Sequence, residues 1–323
     1  MDRVHFPYRA NVHLPLLHVI SESGAWEKQG VEVLYDEKIS SADAHRRVPT
    51  GDVEFVGGNH VSTYGHRARG DNWVYLGQTV SLLRHKMVVQ PDSNIDKVSD
   101  LKGKLVGSAG NHPGLNTWLF LKQNGLDVDR DQVGIIEPRQ VKRDGKPLVM
   151  KVDGGNMLVD MVKHRDCDAA FVCAPSTDMA ARAGLKVVEV EPMPMIWFTT
   201  ISSSMLFVEK YPDLVERFMK GILEGIAYFR QQPEKAIKII EQRYDKEGKL
   251  DSELAKKLYN DINAMLAPRL FPTMEAISNV YQEAIRKDKD SAKVNPMELW
   301  DLHILRRIDD SGFIDNLYSG GSR

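Results

Sequence analysis

The chain has 323 residues, 42% hydrophobic and 27% charged, with a formal net charge of -2, which fits a globular protein long enough for two cores. The charge balance gives no reason to propose nucleic acid, and no basic stripe alternates with aromatic residues. Cys167 and Cys173 are the only cysteines, too few for a disulfide framework or a paired zinc motif, and no run of ~18 apolar residues suggests a membrane span.

Val4 to Tyr8 reads as a first strand, and Leu14 to Ser23 as a helix ending at Gly24. Val31 to Tyr35 is a second strand and Asp43 to Arg47 a short helix. A third strand lies in Thr50-Gly-Asp-Val-Glu-Phe-Val-Gly-Gly-Asn-His60, closing on two glycines. Helix Ser62 to Ala68 follows, then strands Trp73 to Gln78 and Lys86 to Gln90. Strands alternating with helices predict parallel, doubly wound sheets.

Past Pro91 the pattern restarts. Strand Leu105 to Gly107 empties into Ser108-Ala-Gly-Asn-His-Pro113 before a helix over Gly114 to Asn124. A strand that opens through small residues into a helix N-terminus leaves backbone N–H groups outward, which suits an anion as well as an ordinary turn. Strand Gly134 to Glu137, a basic loop or hairpin over Arg139 to Lys151, helix Asn156 to Lys163, strand Asp168 to Val172, helix Thr177 to Ala183 and strand Lys186 to Glu189 complete this half. The apolar, β-prone stretch Ile196 to Val208 would return the chain to the first lobe. From Asp213 onward the sequence is helical. Leu214, Phe218, Ile222, Gly225, Ile226 and Phe229 share one face at helix spacing, and further helices are expected over Glu234 to Tyr244, Asp251 to Met265, Met274 to Asp288 and Pro296 to Ile308.

Three segments carry a resemblance: Gly51-Asp-Val-Glu-Phe-Val-Gly-Gly58, Leu101-Lys-Gly-Lys-Leu-Val-Gly107 and Asp166-Cys-Asp-Ala-Ala-Phe-Val172. Together with Tyr211-Pro-Asp-Leu-Val-Glu-Arg-Phe218 and Gln232-Pro-Glu-Lys-Ala236, they resemble the type II periplasmic solute-binding proteins. The branch is that of nitrate-, sulfonate- and taurine-binding proteins and thiamine-pyrimidine synthases. The resemblance implies an α/β fold of two doubly wound lobes joined by two crossover strands, with a helical C-terminal segment. Lobe 1 would span residues 1–88 and 198–323, lobe 2 residues 89–197, with the ligand in the cleft between them.

Some enzymes share that fold. The chain is similar to the aromatic sulfinate desulfinases at Ser21-Glu-Ser-Gly24 and at His45 followed by Phe55-Val-Gly-Gly58; 4,5-dihydroxyphthalate decarboxylase is usually grouped near those enzymes. Asn11 stands where the desulfinases carry their catalytic cysteine, and Phe55 where they carry the motif arginine. The cysteine-rich iron motif of the pyrimidine synthases is absent too. The resemblance therefore implies neither desulfination nor thiamine-precursor synthesis.

His60, after Gly57, Gly58 and Asn59, is the first candidate general acid, since glycines bring backbone close to a ligand and imidazole titrates near neutrality. Its alternative is a plain hydrogen bond to a ligand or loop carbonyl. His13, beside Asn11, is a second catalytic candidate, with helix capping by Asn11 as the alternative to ligand contact. His45 rests on the resemblance and otherwise reads as a surface helix residue. On the other lobe Ser108, Asn111 and His112 are the expected anion grip, and Cys173 falls at a strand end as a ligand contact or a small semi-buried residue. Trp197 and Phe198 would stack on an aromatic ligand or pack in the core. Arg84 is the first cation to test, and His85 lies close to the expected crossover. His13, His60 and His112 could together hold a metal, but lack HExxH-type spacing; no metal and no cofactor are expected.

Two functions follow. One is a cytoplasmic lyase of decarboxylase type acting on a small aromatic or heteroaromatic acid. The other is a binding protein for a small organic sulfonate or carboxylate, serving an ABC permease. The start Met1-Asp-Arg-Val-His-Phe-Pro-Tyr-Arg9 has no basic segment leading into an apolar stretch, so the expected location is cytoplasmic if Met1 is the native start. A trimmed start would make it periplasmic or lipid-anchored instead.

Overall fold

A computed structural model describes residues 1–109, 117–148, 154–174, 176–244 and 251–319. Its chain divides into two compact units, Met1–Ser81 with Met195–Arg323, and Leu82–Pro194.

In the first unit, strands Asp2–His5 and Val31–Leu34 pair in parallel, with Val4 opposite Val33. Tyr8 carries the pairing on through bridges to Lys38 and Gly57. A second sheet has the order Phe55–Gly57, Met193–Ser204, Trp73–Leu83. Its middle strand runs antiparallel to Phe55–Gly57, with Ile201 opposite Gly57 and Ser203 opposite Phe55. The apolar stretch expected as strand through Val208 changes at Ser204 instead. The Ser204 hydroxyl accepts the Phe207 N–H at 3.1 Å and starts helix Met205–Lys210, the usual role of serine at a helix N-cap.

Helix Pro212–Gln231 supplies the core of this unit with Phe218, Ile222, Gly225, Ile226 and Phe229 of the expected apolar face, while Leu214 is only half-buried. Phe218 stacks on Phe55 at 3.8 Å between ring centroids and meets Phe6 edge-on at 5.1 Å. Two glycines let neighbouring helices close in: a Cβ on Gly221 would stand 2.3 Å from Cδ1 of Trp26, and one on Gly225 2.6 Å from Ile20. Each large apolar side chain buried here contributes roughly 1.5–3 kcal/mol. The helix expected over Pro296 to Ile308 is broken. A 3-10 turn, Pro296–Leu299, is separated from helix His303–Asp310, because Trp300 bridges to Tyr75 and the Asp301 N–H donates to the Tyr75 carbonyl at 2.9 Å. Pairing to the strand edge outcompetes continuation of the helix.

The second unit is a five-stranded sheet in the order Lys186–Glu189, Lys86–Val89, Ala169–Val172, Leu105–Gly107, Gly134–Ile136. The last three pair in parallel, as strand–helix alternation predicts. Lys86–Val89 is antiparallel to both neighbours. Only Arg84 and His85 separate it from the preceding strand, so no crossover helix dictates its direction. Val88, Leu158, Val162, Ala170 and Val172 form the core beneath helix Gly154–Lys163. The basic segment forms a hairpin of Lys142–Arg143 with Lys146–Pro147, turning at Asp144 (φ 51°) and Gly145 (φ 74°), the paired positive φ of a tight hairpin turn. Among the described residues, no helix is long and apolar enough to cross a membrane.

Candidate functional site

The end of strand Phe55–Gly57 builds a turn from Gly58, Asn59 and His60. Gly57 is packed against Phe6 and the methyl of Thr199. Gly58 takes φ 125°, and a Cβ there would stand 2.6 Å from Cγ of Arg9 and 3.8 Å from Cε1 of His13. Glycine thus allows the Arg9 stem to lie across the turn. The middle strand pins the turn: the Gly58 N–H donates to the Thr200 carbonyl at 2.9 Å, and the Ser202 hydroxyl donates to the Gly58 carbonyl at 3.0 Å.

Asn59 sits at φ 63° and is 6% exposed. Its backbone carbonyl accepts from the hydroxyls of Thr63 at 2.6 Å and Tyr75 at 2.8 Å. Among the described residues, its buried side-chain Oδ1 and Nδ2 have no hydrogen-bond partner. A buried amide with neither end satisfied costs about 1–3 kcal/mol for each group left unpaired, and left-handed backbone at a non-glycine residue adds strain of the kind that clusters at binding sites.

His60 is 7% exposed, and its Nδ1 lies 2.6 Å from the Thr200 hydroxyl. His13 is 1% exposed; its Nδ1 lies 2.9 Å from the Thr199 hydroxyl, and Phe198 stacks on its ring at 5.4 Å and 4°. Phe198 itself has φ 64°, a real outlier for a bulky side chain. Adjacent threonines of one strand thus hold the two candidate histidines. Arg9 is half-buried, and its Nη1 donates to the Ile39 carbonyl at 2.8 Å. Burial lowers its pKa from the ordinary arginine value, with Asp43 opposing; a guanidinium at this depth stays charged.

His45 belongs to helix Ser41–Arg47, and its Nε2 lies 2.8 Å from the Ser62 hydroxyl. It is no solvated surface residue: its ring stacks on His66 at 3.5 Å and meets Trp73 edge-on at 5.1 Å. Burial, then the neighbouring His66, holds its pKa down to about 3, so the ring is neutral near pH 7.

Asn11 is exposed and opens the turn Asn11–His13, whose N-cap position is held by Ala10. Trp197 is 2% exposed, packs edge-on against Phe198, and its carbonyl accepts from the Gln78 amide. In the second unit Ser108 is buried, Cys173 half-buried and Arg84 exposed. His85 is buried against Phe120 at 5.3 Å. Asn111 and His112 lie outside the described residues. Among the described residues, no three His, Cys, Asp or Glu side chains are grouped to hold a metal ion.

Residues 11–236 match the profile of the family described as NMT1/THI5 like. The chain belongs to the NMT1/THI5-like family. No curated protein sequence matches it. Solved structures share its periplasmic-binding-protein-like fold. The putative periplasmic sulfonate-binding protein SsuA of Methylobacillus flagellatus is 14% identical over 98% of this chain and 96% of its own, with a TM-score of 0.69. The alkanesulfonate-binding protein SsuA of Xanthomonas axonopodis, bound to MOPS, is 12% identical over 94% and 99%, at 0.64. A mutant of the desulfurization enzyme DszB in complex with biphenyl-2-sulfinic acid is 16% identical over 96% and 99%, at 0.61. At these identities the likeness is one of fold. Nothing in the local sequence pattern marks Arg9, Gln78, Thr199 or Thr200 as part of this site.

Proposed function

We propose that this member of the NMT1/THI5-like family binds a small organic acid at Arg9, Gly58, Asn59 and His60. In this reading it acts on the acid as a decarboxylase-type lyase. The observation that carries the reading is Asn59, at φ 63° and buried with an amide unpartnered among the described residues, on a turn crossed by the stem of the half-buried Arg9 and followed by a histidine held by a threonine. An oxyanion satisfies this set: it accepts from the Asn59 Nδ2 and is matched by the Arg9 charge. The named ligands of the fold neighbours, MOPS and biphenyl-2-sulfinic acid, combine an acidic group with a ring, which supports a ring-bearing acid here. When an activated aromatic acid loses CO₂, the electron pair of the broken bond remains on the ring carbon, and a His60 imidazolium supplies the proton. A cytoplasmic setting belongs to the same proposal and is tested by fractionating native cells.

The second reading is a sulfonate or carboxylate carrier for an ABC permease, favoured by the sulfonate-binding names of two fold neighbours. One experiment separates the two. The protein is incubated with a panel of aromatic carboxylates, sulfonates, sugars and amino acids, followed by thermal shift and mass spectrometry. The lyase reading expects a stabilising acid to be consumed, with His60→Ala cutting turnover at least ~100-fold while affinity stays within ~10-fold. Acids that stabilise yet return unchanged leave the carrier, and preference for sugars or cationic amino acids overturns both.

A further inference from the structure

We infer that Gln78 and Thr200 form a one-way hydrogen-bond relay that fixes the tautomer of His60, leaving Nε2 as its basic nitrogen and making Gln78 a positioning residue. Gln78 is fully buried in strand Trp73–Leu83. Its Nε2 lies 2.5 Å from the Val80 carbonyl and 2.5 Å from the Trp197 carbonyl. Both carbonyls only accept, so the NH₂ end of the amide must face them, and the flipped amide would set three acceptors against one another.

Oε1 is therefore the end that faces the Thr200 hydroxyl, 2.5 Å away, and it takes the single hydroxyl hydrogen. Thr200 is itself fully buried. With its hydrogen committed, its oxygen offers only lone pairs to Nδ1 of His60 at 2.6 Å. Nδ1 must then carry a hydrogen. In neutral imidazole one nitrogen is protonated and the other is not, so Nε2 holds the lone pair. An unconstrained histidine favours the opposite, Nε2–H form; here the relay reverses that preference.

The consequence for chemistry rests on the reading of His60 as the proton carrier. With Nδ1–H committed to Thr200, a proton can enter or leave only at Nε2. Gain of that proton leaves every other hydrogen bond of the relay in place. Within the relay the histidine alternates between base and acid without a change of hydrogen-bond partner, which lowers the reorganisation needed there at the moment of transfer.

The tautomer is read directly from ¹⁵N NMR of the ligand-free full chain labelled in histidine, with His60 assigned by its loss in His60→Gln. The expected spectrum of neutral His60 has a protonated-type Nδ1 and an unprotonated-type Nε2. Thr200→Val and Gln78→Leu should shift His60 toward the Nε2–H pattern, while Thr200→Ser, which keeps the hydroxyl, should retain the wild-type pattern. A wild-type His60 in the Nε2–H form overturns the inference, as does a folded Thr200→Val with an unchanged pattern. Because no ligand enters this measurement, its failure is distinct from failure of the acid panel to reveal binding or turnover.

Discussion

A Cβ built on Gly58 would stand 2.6 Å from Cγ of Arg9, so the side chain of one residue lies in the space that the other leaves empty. Gly58→Ala should act in two ways. Its φ of 125° is strained for any residue with a Cβ, at a cost of order 1–3 kcal/mol, and the methyl displaces Arg9. Gly51 is the control: it has φ 81° with nothing among the described residues within 4 Å of its Cβ position. Urea denaturation should show Gly58→Ala to be the more destabilised of the two, and ligand affinity should fall for it alone. Equal stability and equal affinity for the two variants would remove the Arg9 contact from the account.

Arg9→Gln tests the charge itself. A hydrogen bond to a charged group is worth about 1.5–3 kcal/mol, so affinity for an acid identified in the panel should drop by roughly 10- to 100-fold. The Nη1 bond to the Ile39 carbonyl lies to one side and costs stability modestly when lost. Isothermal titration with the acid, and with an uncharged analogue such as its amide, checks this. The analogue should bind both proteins alike. An equal loss for acid and amide would mean that Arg9 acts through packing rather than charge.

Local pattern carried much of the fold and part of the candidate site. Helix Ser62–Ala68 and strand Lys186–Glu189 lie where periodicity and turn residues put them, and Gly57-Gly58 marked the turn because only glycine suits a close approach. The partners of that turn were illegible for a plain reason. Thr200 is 140 positions from His60, and Gln78 is 122 positions from Thr200; a hydrogen bond between buried side chains leaves no periodicity in the text. Arg9 reads as an ordinary polar residue until Gly58 is seen beneath it. The break at Trp300 was hidden likewise, because the competing bond lies on Tyr75. Arg84, expected as the first cation to test from its place near the crossover, is exposed, and Arg9 is half-buried; charge in a sequence does not report that difference.

The two thiols should differ sharply in reactivity. Burial pushes the Cys167 thiol up to about 12, with the Gly107 backbone bond opposing, so almost no thiolate forms at pH 8. Cys173 is half-buried. Native protein treated with iodoacetamide near neutral pH should be alkylated at Cys173 and spared at Cys167, with both modified after unfolding in urea. Peptide mass spectrometry reads the sites. Rapid native labelling of Cys167 would contradict its placement in the core with Leu158 and Ala170.

The helix Pro212–Gln231 approaches its neighbours through its glycines. At Gly221 an added Cβ would meet Cδ1 of Trp26 at 2.3 Å and its Cα at 3.1 Å. A ring can turn, but a backbone atom cannot move without the helix that carries it. Gly→Ala within a helix gains about 1 kcal/mol of propensity, while overpacking a filled core costs typically 1–3 kcal/mol. Gly221→Ala should therefore be destabilising on balance, and Gly225→Ala, facing Ile20 at 2.6 Å, should behave the same way. Chemical denaturation gives the sign; a stabilised Gly221→Ala would show that the interface is looser than the described packing.

His45 makes stability depend on pH. Its folded-state pKa is held at about 3, against an ordinary 6.5, chiefly by burial and then by His66, with Asp71 opposing and Arg9 and Arg69 adding to the depression. Between those two values the unfolded chain binds the proton and the folded chain does not. Protonation thus favours unfolding: the contribution of neutral His45 is whole above about pH 6.5 and is lost progressively as pH falls from there toward 3. The stacked His66 ring at 3.5 Å and the Ser62 hydroxyl at 2.8 Å leave a charged imidazole little room to rehydrate. His45→Gln removes the titration and retains a side chain able to reach Ser62. Urea denaturation at about pH 7.5 and about pH 5 should show the wild type losing more stability on acidification than His45→Gln. Parallel losses in the two proteins would place the acid sensitivity elsewhere in the chain.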